Sequence, residues 1–428
     1  MTSAERVRAA AARRRRWAVL GAVPVLLLTV AGCGAGDDAQ LWSLSSRTIS
    51  GGDSLRPRIW AAGPTLAITR GREVTGYDAE TGETRWSVPL PGRVCAASTR
   101  ADGGRVAVQF GPGGRRCDRI AAVDLKSGRK LWERPIPSTG RVREGQLVIG
   151  GGVVAVDEVH VTAAFRLADG RPLWNRGGPG AGCAIDGFAS GPALVAGLSC
   201  DGDRGKVRRV EGIDPGSGRS LWSYAAPPGY TVTKMLSSRP VVLGLEQDGS
   251  DGERSRYVVL NASGAQVTSI DVAGRFSVRC YQDPNRCNNV VVSDDSLYVR
   301  AIIGKVRDKE EKTFPPIASF DLATGRPKWS TKNPDGNHLF PIGMDGGRLI
   351  AAQPKTAVNK GRGRRPRLVS VDPATGRTSI MWEFSWKADF ALRSGSDRLY
   401  AHGRLFLMRQ LVSGKGKTAL RAFGKPAD

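Results

Sequence analysis

The sequence predicts an all-β fold: an eight-bladed β-propeller of four-stranded antiparallel blades, closed by the N-terminal strand in the C-terminal blade. Three observations carry that reading. The unit Val123-Asp-Leu-Lys-Ser-Gly-Arg-Lys-Leu-Trp132 recurs along the chain. Its glycines lie 42 to 61 residues apart, too far for a solenoid coil and right for a blade of four strands. The chain ends are incomplete in complementary ways, one holding a Trp strand without its turn and the other three strands without a fourth.

The repeat positions are Asp78, Gly82 and Trp86; Asp124, Gly128 and Trp132; Gly170 and Trp174; Asp214, Gly218 and Trp222; Asp321, Gly325 and Trp329; Asp372 and Gly376. Val259-Leu-Asn-Ala-Ser-Gly264 is a degenerate seventh copy. Each residue type has a mechanical reason. The Asp carboxylate accepts hydrogen bonds from backbone N–H groups two or three residues on and shuts the turn. The Gly supplies the positive φ of a short hairpin loop. The Trp, four residues later, is large enough to fill the gap between packed sheets.

Residues 1–32 read as an export signal. Arg6, Arg8 and Arg13 to Arg16 form a positive segment, followed by an apolar run from Trp17 to Val30. That run is short for a membrane span and usual for a signal peptide. It ends at Val30-Ala-Gly-Cys33, which resembles the lipobox of bacterial lipoproteins, so Cys33 is the expected lipidation site. Residues 33–40 read as a tether and 41–428 as the propeller. This places the protein, as a single copy, on the outer face of the cytoplasmic membrane.

Six further cysteines suit an oxidising compartment. Cys95 and Cys183 each follow a turn glycine by 13 residues, at the start of a blade's first strand. Cys117 and Cys200 fall near the end of the second strand or in the next hairpin. Cys95–Cys117 and Cys183–Cys200 are therefore the natural pairs, and Cys280 with Cys287 would close a small loop around Asp283-Pro284-Asn285; free buried thiols are the alternative.

Within one blade the strands are expected at 93–98, 105–110, 120–125 and 130–136. At the N-terminus Leu41-Trp42 repeats the Leu-Trp of 131–132, 173–174 and 221–222, without a turn before it. At the C-terminus, segments 389–403, 404–411 and 417–423 supply three strands. Pairing the two ends removes the exposed edges and makes eight blades.

The 428 residues carry a formal charge of +24, of which the leader contributes +5. Such an excess implies an acidic partner or surface. The basic residues recur at one place, between second and third strands: Arg115 and Arg116; Arg204, Lys206, Arg208 and Arg209; Arg362, Arg364, Arg365 and Arg367; Lys415 and Lys417. In a propeller those hairpins share one face and the Asp–Gly turns the other. Segment 305–312 joins the basic face with much of its charge cancelled, and the acidic loop 246–256 interrupts the ring. The alternative is a merely solubilising surface. Without interleaved aromatics in these loops, nucleic acid is a poor partner for an exported chain.

Other chemistry finds little support. His160, His338 and His402 are spread over different blades, against a His-based zinc site. Gly187-Phe-Ala-Ser-Gly191 holds its Ser one place off the nucleophile-elbow pattern, and Ser413-Gly-Lys-Gly-Lys-Thr418 lacks the first Gly of a phosphate loop. Asp201-Gly-Asp203 and Asp248-Gly-Ser-Asp251 are acidic turns that bind calcium weakly if at all.

The Asp-x-x-Thr/Ser-Gly-x-x-x-Trp unit at this spacing resembles the PQQ-type β-propeller repeat over nearly all of residues 41–425. The resemblance implies one of two roles. One is a quinoprotein dehydrogenase holding pyrroloquinoline quinone and calcium on the propeller axis; against it, the chain lacks the adjacent Cys-Cys pair of the alcohol dehydrogenases. The other is a non-enzymatic role without cofactor, typified by an eight-bladed lipoprotein that helps assemble outer-membrane proteins. The Arg- and Ala-rich sequence points to a high-GC Gram-positive source without that machinery. The expectation is a non-catalytic scaffold for an envelope protein or an anionic wall polymer.

Overall fold

The second and third strands of each blade read as short apolar runs, and the structure covers them on both faces. Val106, Ala107 and Val108 of one second strand are fully buried, as are Ile120 to Val123 beside them. The computed structural model describes residues 40–45, 58–112, 117–136, 146–158, 161–176, 182–189, 191–203, 205–250, 255–272, 279–280, 287–300, 317–331, 339–354, 365–384, 396–409 and 418–424.

Those residues form eight four-stranded antiparallel sheets, each with its strands in simple meander order. Blade 2 shows the pattern with strands Arg93–Ala97, Arg105–Gly111, Arg119–Asp124 and Arg129–Pro135, within a residue of the expected bounds. Blade 1 occupies residues 59–89, and blades 3 to 7 occupy 146–176, 183–225, 230–271, 290–330 and 340–383. A separate two-stranded ribbon, Arg279–Cys280 with Cys287–Asn288, lies between blades 5 and 6 in sequence. No helix occurs among the described residues.

Blade 8 is built from both chain ends. Ser396–Ala401, Arg404–Arg409 and Thr418–Gly424 supply its first three strands, and Gln40–Ser45 the fourth. Trp42 stands opposite Ala422, and Ser45 opposite Thr418. The closing strand starts at Gln40, one residue before the expected propeller boundary, and Trp42 is half-buried.

The core is divided into seams between consecutive blades. Val106 and Phe110 of blade 2 pack with Trp60 and Val74 of blade 1. The same arrangement recurs at every following pair. The last seam joins Phe406 and Leu420 of blade 8 to Leu66 and Tyr77 of blade 1. A ring of eight seams leaves no blade with an uncovered flat face, which is how a propeller protects its sheets.

Meander order also fixes two faces. Hairpins joining strands one to two and three to four emerge on one face. Hairpins joining strands two to three, and the connections between blades, emerge on the other. Gln40 pairs with Phe423, at the end of the third strand, so the chain enters the ring at the face of the Asp–Gly turns.

Candidate functional site

The repeated turn is a closed hydrogen-bond unit. The Asp78 carboxylate accepts from the Glu80 and Thr81 N–H groups at 2.8 and 3.0 Å. Asp124 accepts from Lys126 and Ser127, Asp321 from Ala323 and Thr324, and Asp372 from Ala374 and Thr375 in the same way. The backbone N–H three residues on is the leading cause that holds these four carboxyls below the ordinary Asp range. At Asp214 the leading cause is the Ser217 hydroxyl.

The turn glycines are also docking points. A Cβ at Gly82 would lie 2.6 Å from the Trp42 ring, and one at Gly218 2.6 Å from Trp174. The same contact joins Gly170 to Trp132 and Gly376 to Trp329. Each Trp thus lies on the turn of the next blade, and most also donate an indole hydrogen bond there. Trp42 Nε1 reaches the Ala79 carbonyl at 3.1 Å, Trp132 that of Leu167 at 2.8 Å, Trp174 that of Pro215 at 2.8 Å, and Trp329 that of Pro373 at 2.7 Å. The acceptor is always the residue after the turn Asp position. The packing role of the Trp was expected; the inter-blade hydrogen bond was not, although the spacing from each Trp to the next turn carries its signal.

Two disulfides stiffen the other face. Cys95 in the first strand of blade 2 joins Cys117, in the hairpin before its third strand. Cys183 and Cys200 are register partners at the ends of their strands in blade 4 and form the second bridge. Cys280 and Cys287 oppose each other in their ribbon, their side chains lying outside the described residues.

The basic stretches all fall between second and third strands. Arg115, Arg116, Arg204, Arg362, Arg364, Lys415, Lys417 and Cys33 lie outside the described residues, as does segment 305–312. Arg209 and Arg365 are exposed. Arg367 is half-buried and donates through Nε to Gln353. Lys206 and Arg208, expected to face a partner, are engaged within the chain. Arg208 donates to Asp248 at 2.6 Å and to the Tyr230 carbonyl at 2.8 Å, and Lys206 Nζ stands 3.1 Å from Asp248. Arg208 also lies 3.6 Å from Asp203, whose other oxygen accepts from the Cys200 N–H. Arg208, the Thr231 hydroxyl and Lys206 hold the Asp248 carboxyl far below its ordinary range. Through Asp248, the loop that follows the second strand of blade 5 clasps the basic stretch of blade 4.

That clasp bears on the calcium reading of the acidic turns. Asp203 and Asp248, from the turns weighed for calcium, hold Arg208 instead. No group of three or more His, Cys, Asp and Glu side chains fit to hold a metal occurs among the described residues. In these turns the two carboxylates are committed to Arg208 and not to a metal cation.

Comparison with known proteins agrees with the propeller. The first curated relative is the outer membrane protein assembly factor BamB of Burkholderia pseudomallei (strain K96243), 27% identical over 49% of this chain and 54% of that protein. The protein of the same name from Xanthomonas campestris pv. campestris is 31% identical over 29% of this chain and 31% of its own length. This chain thus spans about half or less of the curated relatives it matches. The crystal structure of BamB from Moraxella catarrhalis aligns over 90% of this chain and 99% of that chain, with a TM-score of 0.49 and 11% identity. The family model described as outer membrane protein assembly factor BamB, PQQ_2, matches residues 29–179 and 115–331. Those matches extend over more than half of the 428 residues, and the chain belongs to the PQQ_2 family.

Proposed function

We propose that this chain is an exported, non-catalytic scaffold, tethered by lipid at Cys33 to the outer face of the cytoplasmic membrane. Its propeller presents the basic hairpin face to an acidic partner, an envelope protein or an anionic wall polymer. The observation that carries the reading is positional. In blades 2, 4, 7 and 8 the basic stretches, far apart in sequence, all fall between the second and third strands, which supports a shared basic face. Like charge gathered in this way costs self-repulsion and attracts anions through a salt-dependent field. The relatives' name as assembly factors supports a scaffold over a catalyst.

The test replaces Arg362, Arg364, Arg365 and Arg367 with Ser. Folding should survive, because the substitutions lie in or beside one hairpin. Retention on purified anionic wall polymer should fall by about tenfold or more, and raised salt should mimic the loss. Retention indifferent to both changes returns these arginines to a solubilising role.

A further inference from the structure

The seam between blades 4 and 5 is packed along its length but open at its rim on the turn face. In four of the seven turns the residue after the Asp position plugs the seam with the preceding blade, and in two more it is a half-buried Pro. Ala79, Leu125, Leu167 and Leu322 do so, each no more than 4% exposed. In blade 5 that place is Ala262, which is exposed. It offers a methyl group where three of those turns send in an isobutyl.

A groove of about 330 Å³ opens there, between blades 4 and 5 on the turn face. Leu194, Val195, Ile213, Leu260 and Trp222 line it, and no carboxylate does. The carboxylate of neighbouring Asp214 is turned to Ser217 in its own turn. Arg239 on the rim is exposed and makes no ion pair with any described residue. The indole N–H of Trp222, unlike those of Trp174 and Trp329, has no acceptor among the described residues. Leu221 at the edge is 64% exposed, and Val267 on the outer strand of blade 5 is 46% exposed.

We propose that this groove docks an extended segment of a partner protein, through a bulky apolar side chain next to a carboxylate. The apolar side chain takes the place that Leu125 and Leu167 take in their own seams, and the carboxylate meets Arg239. A peptide fits better than a small amphiphilic acid. Exposed Leu221 and Val267 stand on the outer strands of the two blades, whose outer edges pair with no strand of their own sheets and can take an extended chain. This surface lies on the face opposite the basic hairpins and does not depend on them.

The test selects a displayed random peptide library on the full chain and rescreens it on Ala262→Leu and Arg239→Glu. Enriched peptides should pair a bulky aliphatic or aromatic residue with Asp or Glu. Ala262→Leu should weaken them by about tenfold or more, and Arg239→Glu should abolish the preference for acid. The fourfold arginine variant of blade 7 should bind them unchanged, which separates this surface from the basic face. Binding that survives both Ala262→Leu and Arg239→Glu overturns the proposal. So do enriched peptides without the apolar–acidic pair, or laurate binding with no peptide enriched. Should Ala262→Leu fail to fold, the Arg239→Glu arm decides alone, because that side chain is exposed.

Discussion

Gly128 shows how little room the repeat leaves at one position. Its φ is +67°, in the left-handed region, and a Cβ there would lie 2.3 Å from the Trp86 Cγ atom. Gly103 has a similar φ of +55° with nothing within 4 Å. The pair separates backbone strain from steric conflict. Gly103→Ala should cost about 1 kcal/mol of stability, from strain alone. Gly128→Ala should cost about 2–4 kcal/mol, because overpacking against a large ring adds to it. Denaturant midpoints measure both, and equal losses would mean that the Trp ring moves aside at little cost. The need for glycine was legible in the sequence as turn chemistry. The second reason was not, because the ring that presses on Gly128 comes from the preceding blade.

Between elements, the clasp of Asp248 on Lys206 and Arg208 ties the hairpin of blade 4 to that of blade 5. Asp248→Asn should release two cations onto the basic face. Retention on anionic wall polymer at low salt should therefore rise, opposite in sign to the fourfold arginine variant. A fall would mean that the clasp orders the hairpin for binding. The carboxyl is depressed in the folded state, so the stability it adds is present above the ordinary Asp value of about 3.9. That stability is lost only as pH falls through the lower folded value, and mild acid should leave the clasp shut. The position of the basic hairpins followed from the repeat register. Their pairing did not, since Asp248 stands 40 residues from Arg208 in a loop that reads as merely acidic. Position is periodic and therefore legible, whereas charge partners depend on loop conformation.

At the scale of the whole molecule, the ring closes through six residues. Gln40–Ser45 pair with Thr418–Gly424, and the Trp42 indole reaches blade 1 at Ala79. Deleting residues 40–45 should bare the edge of the third strand of blade 8 and loosen the seam with blade 1. Thermal unfolding should broaden or split, and light scattering should show association through the bared edge. A deletion variant as stable and as monodisperse as the parent would show that the ring does not depend on this strand. Closure was legible because one chain end lacked a turn and the other a strand. The open rim of the seam between blades 4 and 5 was not. The degenerate turn at Asn261 marks the place, but only the burial of Leu125, Leu167 and Leu322 in their own seams shows what Ala262 leaves out.

Sharing one blade between the first and last strands also sets a clock. Gln40–Ser45 leave the ribosome, and on export cross the membrane, long before Thr418–Gly424 exist to receive them. Seven blades have all their strands as soon as they emerge, while the eighth waits for the end of the chain. The slowest native contact is then the one with the greatest separation along the chain, whose loop-closure cost must be met before it forms. A chain cut short by stalled synthesis or proteolysis never finds that partner. It keeps an unpaired edge, the feature by which aggregation and quality control select incomplete molecules.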